Sequence, residues 1–317
     1  MAIIANEMTT YDAIGNREDL TDVIAMIAPV DAPFYNACGA ASKPKATKHE
    51  WQTDTLRAAA SNSAVEGDQQ GTLEAVTPTS RIHNFLQIQK TEFSVTNTQD
   101  AVDKAGRAKE LAYQKTKKTK ELMLDFEYAF LREVWSTTAS GAGDTTHARK
   151  MRGALNWCTT NIDKAADAAV AADGTITGGT ARTLTEDLIA NLCQNIYTAG
   201  GKVNRAYCGP FQKRQISSFA GSGNYRTLKD AKTLNAAVDV YVNDFFALDI
   251  EPHRNMPTDV VFMPDMDYWK KGALRSLTSE VLPSTADATV VRLLVEHTLE
   301  ARNEASSGRI VNLTTSN

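Results

Sequence analysis

Few residues in this chain have the type and spacing that chemistry needs. Asp265 and Asp267 form an Asp-x-Asp pair behind an apolar run, a spacing that suits a cation or an acid pair. They follow Pro264 in what reads as an exposed turn, where solvated carboxylates are the plainer expectation. Residues 221–224, Gly-Ser-Gly-Asn, resemble a phosphate loop only loosely, because the GxxxxGK[ST] pattern is missing; a flexible loop is expected there. Lys115, Lys117, Lys118 and Lys120 make the one basic cluster. At about 100° per residue they point around a helix, so a solvated stretch balanced by acids such as Glu121 competes with contact to phosphates.

The remaining candidates are weaker. Cys38, Cys158, Cys193 and Cys208 lie far apart without a CxxC pair and read as buried, reduced thiols. His49, His83, His147, His253 and His297 show no metal-site spacing. No GxSxG elbow or HExxH motif occurs. No catalytic set, cofactor or metal is therefore expected, although a site built from distant residues stays open.

Composition narrows the class further. With 317 residues the chain suits one to three compact units and can bury roughly three quarters of its unfolded surface. A net charge of −4 does not describe a basic nucleic-acid binder. The first residues lack a basic stretch followed by an apolar core, so no secretory signal is expected. No apolar run is long enough to span a membrane.

The elements that would position these residues are unusual for a monomer. Residues 1–47 read as an arm, with a short helix over 21–28 ended by Pro29, with Pro33 fixing an extended path for Asp31 and Ala32, and with Phe34 and Tyr35 as anchors that dock onto something larger. Residues 48–56 alternate, placing His49, Trp51, Thr53 and Thr55 on one face and Lys48, Glu50, Gln52 and Asp54 on the other. Residues 57–80 are rich in Ala, Ser, Gly and Gln, with a turn at Glu66, Gly67 and Asp68. A return strand over 81–95 carries Leu86 and Ile88 on one face, then Phe93 and Val95. Such a polar ribbon is marginal without a partner surface, and its edges invite pairing.

Thr96 followed by Gln99 gives a capping-box signal for one long helix over 97–135, a rod of ~58 Å. Its expected seam runs through Ala101, Ala105, Ala108, Ala112, Lys115, Thr119, Leu122, Phe126 and Ala129, with Gly106 as a weak point. Residues 136–182 are loop-rich, with one short packed element at 153–158. Beyond them an α+β unit follows. Thr183 and Glu186 suggest a cap for a helix through Leu184, Leu188, Leu192 and Ile196 that stops at Gly200 and Gly201. A strand over 205–208, a helix begun by Pro210 and strands over 237–242, 246–251 and 259–263 come next. Residues 289–299 alternate as a strand returning to the earlier half, which would interleave the two halves.

This order of elements resembles the major capsid proteins of tailed bacteriophages, the Hong Kong-type capsid fold. The stretches that carry the resemblance are Pro29 with Ala32, Pro33 and Phe34; Glu50 and Trp51 with Asp54 and Leu56; and Glu66 with Gly67. Gly200 with Gly201, Met256 and Pro257 with Asp259, and Glu296 through Ala305 complete it. The resemblance implies an α+β shell subunit with an N-terminal arm (1–47), an extended hairpin loop (48–95), a peripheral domain with the spine helix (96–182, rejoined by 266–317) and an axial domain (183–265). It implies pentamers and hexamers closing an icosahedral head around double-stranded DNA in the virion. Pro33, Phe34, Trp51, Asp54, Glu66 and Gly67 would then be contacts between subunits. Many relatives carry a cleaved N-terminal scaffolding domain, whereas here the arm starts almost at Met1. A separate scaffolding protein is thus expected, and the resemblance adds a portal and a decoration protein as partners. Two rival readings remain: a bacterial nanocompartment shell of the same fold, and an enzyme with its site in residues 183–265.

Overall fold

Two sheets and one long helix organise the chain, and each grows from a pattern of side-chain burial. The computed structural model describes residues 32–63, 65–67, 71, 73, 75–103, 109–135, 141–219 and 240–316. The expected helix over 21–28 and the glycine-rich stretch 221–224 lie outside the described residues.

The arm ends in a short helix, α1 (Pro33–Ala37), and a two-residue strand, β1 (Gly39–Ala40). Strands β2 (Lys48–Thr53) and β3 (Ser80–Phe85) pair antiparallel, with Trp51 opposite Ile82 and His49 opposite Asn84. The expected return strand is broken at Leu86, which is buried and donates its N–H to Thr47. Beyond the break, β4 (Gln87–Thr96) leaves the ribbon and joins another sheet. Its inward face carries Phe93 and Val95, while Ile88 points to solvent, against the expected pairing of Ile88 with Leu86.

The rod is not continuous. Thr96 caps α2 (Asn97–Ala101) by accepting from the Gln99 N–H, as the capping signal requires, but α2 stops after five residues. The main helix, α3 (Glu110–Arg132), begins later and spans 23 residues, about 35 Å rather than 58 Å. Asp100 explains that start: its carboxylate accepts from the N–H groups of Glu110 and Leu111, capping α3 from the end of α2. Among the described residues of the expected seam, Leu122, Phe126 and Ala129 are buried, while Ala101, Ala112 and Lys115 are exposed.

Helix α4 (Ala154–Trp157) buries all four of its residues, and three two-residue strands follow: β5 (Ile162–Asp163), β6 (Ala169–Val170) and β7 (Ile176–Thr177). Next come α5 (Glu186–Thr198), β8 (Arg205–Cys208) and α6 (Pro210–Phe219). Thr185, not Thr183, occupies the α5 cap position, and its side chain makes no capping bond; Leu184 is instead buried in the core. Strands β9 (Val240–Val242), β10 (Ala247–Pro252) and β11 (Val261–Met263) precede the longest hairpin, β12 (Trp269–Leu282) with β13 (Ala288–Ala301). Strand β14 (Gly308–Ile310) closes the series.

Strand β13 is the predicted returning strand. It lies between β12 and β4 in a four-stranded sheet ordered β1-β12-β13-β4. Helix α3 covers this sheet through Leu122, Phe126, Leu293 and Val295. The second sheet runs β5-β14-β11-β8-β10-β9, so its strands come from both sides of residues 183–265. Leu192, Cys193 and Ile196 of α5 bury against Cys208, Val261 and Ile310 of that sheet. Between the sheets lies the largest core, with Phe34, Phe130, Trp157, Tyr207, Phe262 and Trp269.

Candidate assembly surface

The ribbon has a fixed base and an uncovered tip. At the base, β2 alternates as expected, and its His49 and Trp51 face turns onto its own chain. The His49 ring contacts Glu300 at 3.1 Å, and Arg302 reaches the same carboxylate at 2.7 Å. Burial raises the Glu300 pKa, but the hydrogen bonds from His49 and Arg302 outweigh it and leave the group below the usual carboxylate range. Trp51 donates its indole N–H to the Ala301 carbonyl at 3.0 Å and packs 5.8 Å from Trp157. Asn84 completes the anchor: its amide donates to the Arg152 and Leu299 carbonyls, and its oxygen accepts from the Trp135 indole and the Arg152 N–H. Every hydrogen-bonding atom of that buried amide is engaged, which makes the base rigid.

Among the described residues of 54–79 there is no strand, and all of them are exposed. Leu56 is 99% exposed, Val65 80%, Leu73 78% and Val76 94%. A single exposed leucine is ordinary; four exposed aliphatics on one loop are not. Asp54 turns back on the Thr55 N–H, and Glu66 and Gly67 form the predicted turn, with Gly67 at φ 80°. That left-handed backbone is one that glycine takes without strain.

The other expected contact residues divide. Asp54, Glu66 and Gly67 are exposed and available to a neighbour. Phe34 is not: it is fully buried in its own chain, about 6 Å from the rings of Tyr207, Phe262 and Trp269. It docks onto something larger, as an aromatic on a thin segment should, but that larger body is its own core. Trp51 is half-buried, and within its own chain it bonds to Ala301 and packs on Trp157. Pro33 is half-buried as the first residue of α1, where its missing N–H costs nothing.

On α3, Lys115 and Lys117 are exposed, whereas Lys118 pairs with Glu121 at 2.6 Å and is half-buried, as is Lys120. Asp265 departs from the expected solvated carboxylate. It is buried and accepts from the N–H groups of Lys202 and Asp267, so it holds a turn together. All four cysteines are free and buried. Burial pushes the thiols of Cys38 and Cys158 well up and that of Cys208 to about 12, which leaves no reactive thiolate among those three. No sequence pattern marks strand β12, because its outer half faces solvent on both sides and lacks alternation.

Comparison with known proteins gives this arrangement a family. The profile of the SU10 major capsid protein matches residues 5–314. A major capsid protein of Escherichia phage Phieco32 is 34% identical over 123 residues; the match spans 38% of this chain and about a third of that protein, 34% of its length. A solved chain from Microbacterium phage Oxtober96 superposes with a TM-score of 0.63 at 12% identity, covering 97% of this chain and 99% of that one. A chain from the capsid of a native GTA particle gives 0.62 at 12% identity, covering 96% and 98%. At such identities the superpositions speak for the fold, and they bear out the α+β capsid architecture. Of the two container readings, the match falls on the phage side. The chain belongs to the SU10 major capsid protein family.

Proposed function

We propose that this subunit builds a closed icosahedral shell around double-stranded DNA by laying the 54–79 loop of each copy on its neighbour, within pentamers and hexamers. The observation that carries the reading is the contrast between the two ends of the ribbon. Its base is tied down by Trp51, His49 and Asn84, while its tip holds four aliphatic side chains in water. Covering those side chains would yield roughly 1.5–3 kcal/mol each. Each contact is modest, and symmetry sums them over the shell. Residues 96–182 with 266–317 would form the peripheral domain and 183–265 the axial domain. The arm (1–47) would extend the contacts further.

A container should enclose nucleic acid without gripping it, which agrees with a net charge of −4. Lys115 and Lys117 are the exposed cations proposed to face the packaged DNA. A scaffolding protein, a portal and a decoration protein are the proposed partners. A solved relative from a satellite phage P4 procapsid, which includes a size determination protein, supports a partner of the scaffolding kind.

Electron microscopy of the purified protein tests the reading. The full chain should form closed particles, and deletion of residues 57–75 should leave a soluble, folded subunit that forms none. Normal shells from the deleted protein would remove the loop from its assigned role.

A further inference from the structure

Glu127, in the middle of α3, is completely buried, and no lysine or arginine neutralises it within ion-pair distance among the described residues. Its carboxylate is held by three donors instead. One oxygen accepts from the Phe34 N–H at 2.9 Å and from the His253 ring at 2.5 Å; the other accepts from the Tyr35 N–H at 2.7 Å. The second ring nitrogen of His253 accepts from the Asn255 N–H at 3.1 Å, which puts the ring proton on Nε2, facing Glu127. The His253 N–H in turn donates to the Cys208 carbonyl at the end of β8. One side chain thus joins the end of the arm, the spine helix and the six-stranded sheet.

We propose that Glu127 is the positioning residue that fixes where the arm leaves the body and couples the arm to both the spine helix and the sheet. This rests on the reading that the arm reaches other copies in the shell. The coupling follows from hydrogen-bond accounting. If α1 lifts away, a buried carboxylate loses two of its three donors, and two backbone N–H groups lose their acceptor. Lys271 clasps the same segment from β12, donating to the Tyr35 carbonyl at 2.8 Å and lying 4.2 Å from its ring centre. The Phe34 ring fills the space between Tyr207, Phe262 and Trp269 beneath. A pull on the arm is therefore borne by α3 at Glu127 and passed to β10 through His253. A glutamine cannot replace this carboxylate: either orientation turns its NH2 toward a donor, Tyr35 N–H in one and Phe34 N–H with His253 in the other.

Hydrogen exchange and electron microscopy on the full chain, wild type and Glu127→Gln, test the proposal. In the wild type, the amides of Phe34 and Tyr35 should exchange as slowly as those of the sheet core, although they sit in the first turn of a five-residue helix. In Glu127→Gln those two amides should lose at least tenfold in protection while the β12–β13 hairpin keeps its own, and the yield of closed shells should fall at least tenfold. Fast exchange at Phe34 and Tyr35 in the wild type overturns the proposal, and so does a variant that assembles normally with those amides loosened. If the variant fails to fold, the wild-type exchange decides the matter. Absence of shells from the wild type would instead count against the container reading and leave the exchange result to judge the anchor.

Discussion

The ring of His297 is wedged against Phe126 and Phe130, with centroids 4.8 and 4.9 Å away, and its Nε2 meets the Gln89 side-chain oxygen Oε1 at 2.7 Å. Burial is the main cause, with the nearby Lys271 charge second, that pushes its pKa from 6.5 down to about 3. The folded chain thus favours the neutral ring, and the unfolded chain takes up the proton first. Stability from this site is whole above pH 6.5 and is lost as pH falls from there toward 3. By pH 4 the loss is of the order of a few kcal/mol. Denaturant titrations of His297→Gln should show a flatter acid limb than the wild type, and an unchanged limb would rule out this ring as the source. Phe34 shows where residue-level reading ends. Its type announced an anchor, but the rings that receive it stand far downstream, and local sequence carries no trace of them.

Among the elements, those specified by neighbouring residues were legible. Pro210 opens α6 at its first position, and β8 spans the residues its apolar run marked. The inward face of β2 followed its alternation, and β13 returned to the earlier half as its pattern required. Elements decided across the fold were not legible. The split between α2 and α3 depends on Asp100 bonding the N–H groups of Glu110 and Leu111, a tie that no periodicity reveals. Asp100→Ala should therefore fray the first turn of α3 and cost about 1 kcal/mol, read as a lower melting temperature and faster amide exchange at Glu110 and Leu111. Equal exchange in both proteins would leave that helix start unexplained. The assembly surface was half legible: composition marked the loop tip, but not that its base would be pinned by Asn84, Trp51 and His49 to the chain's own last long strand.

For the whole molecule, the relevant quantity is how charge is spread over many copies. Lys115 and Lys117 stand exposed on α3 beside the internally paired Lys118 and Glu121. Reversing both exposed lysines to glutamate should leave shell formation intact and lower the salt-dependent retention of DNA, measured as nucleic acid per particle across a salt series. Loss of shells in that variant would show that the lysines serve subunit contact instead.

The six-stranded sheet sets an order of events for newly made chains. Strand β14 sits between β5 and β11, and Asn161 and Asp163 accept hydrogen bonds from Arg309 and Val311 beside it. A chain that ends at residue 300 lacks β14, which would leave β5 without its partner and β11 with β8 alone. The sheet is complete only once residue 310 has emerged, so a product truncated before it should fail to take a place among complete ones.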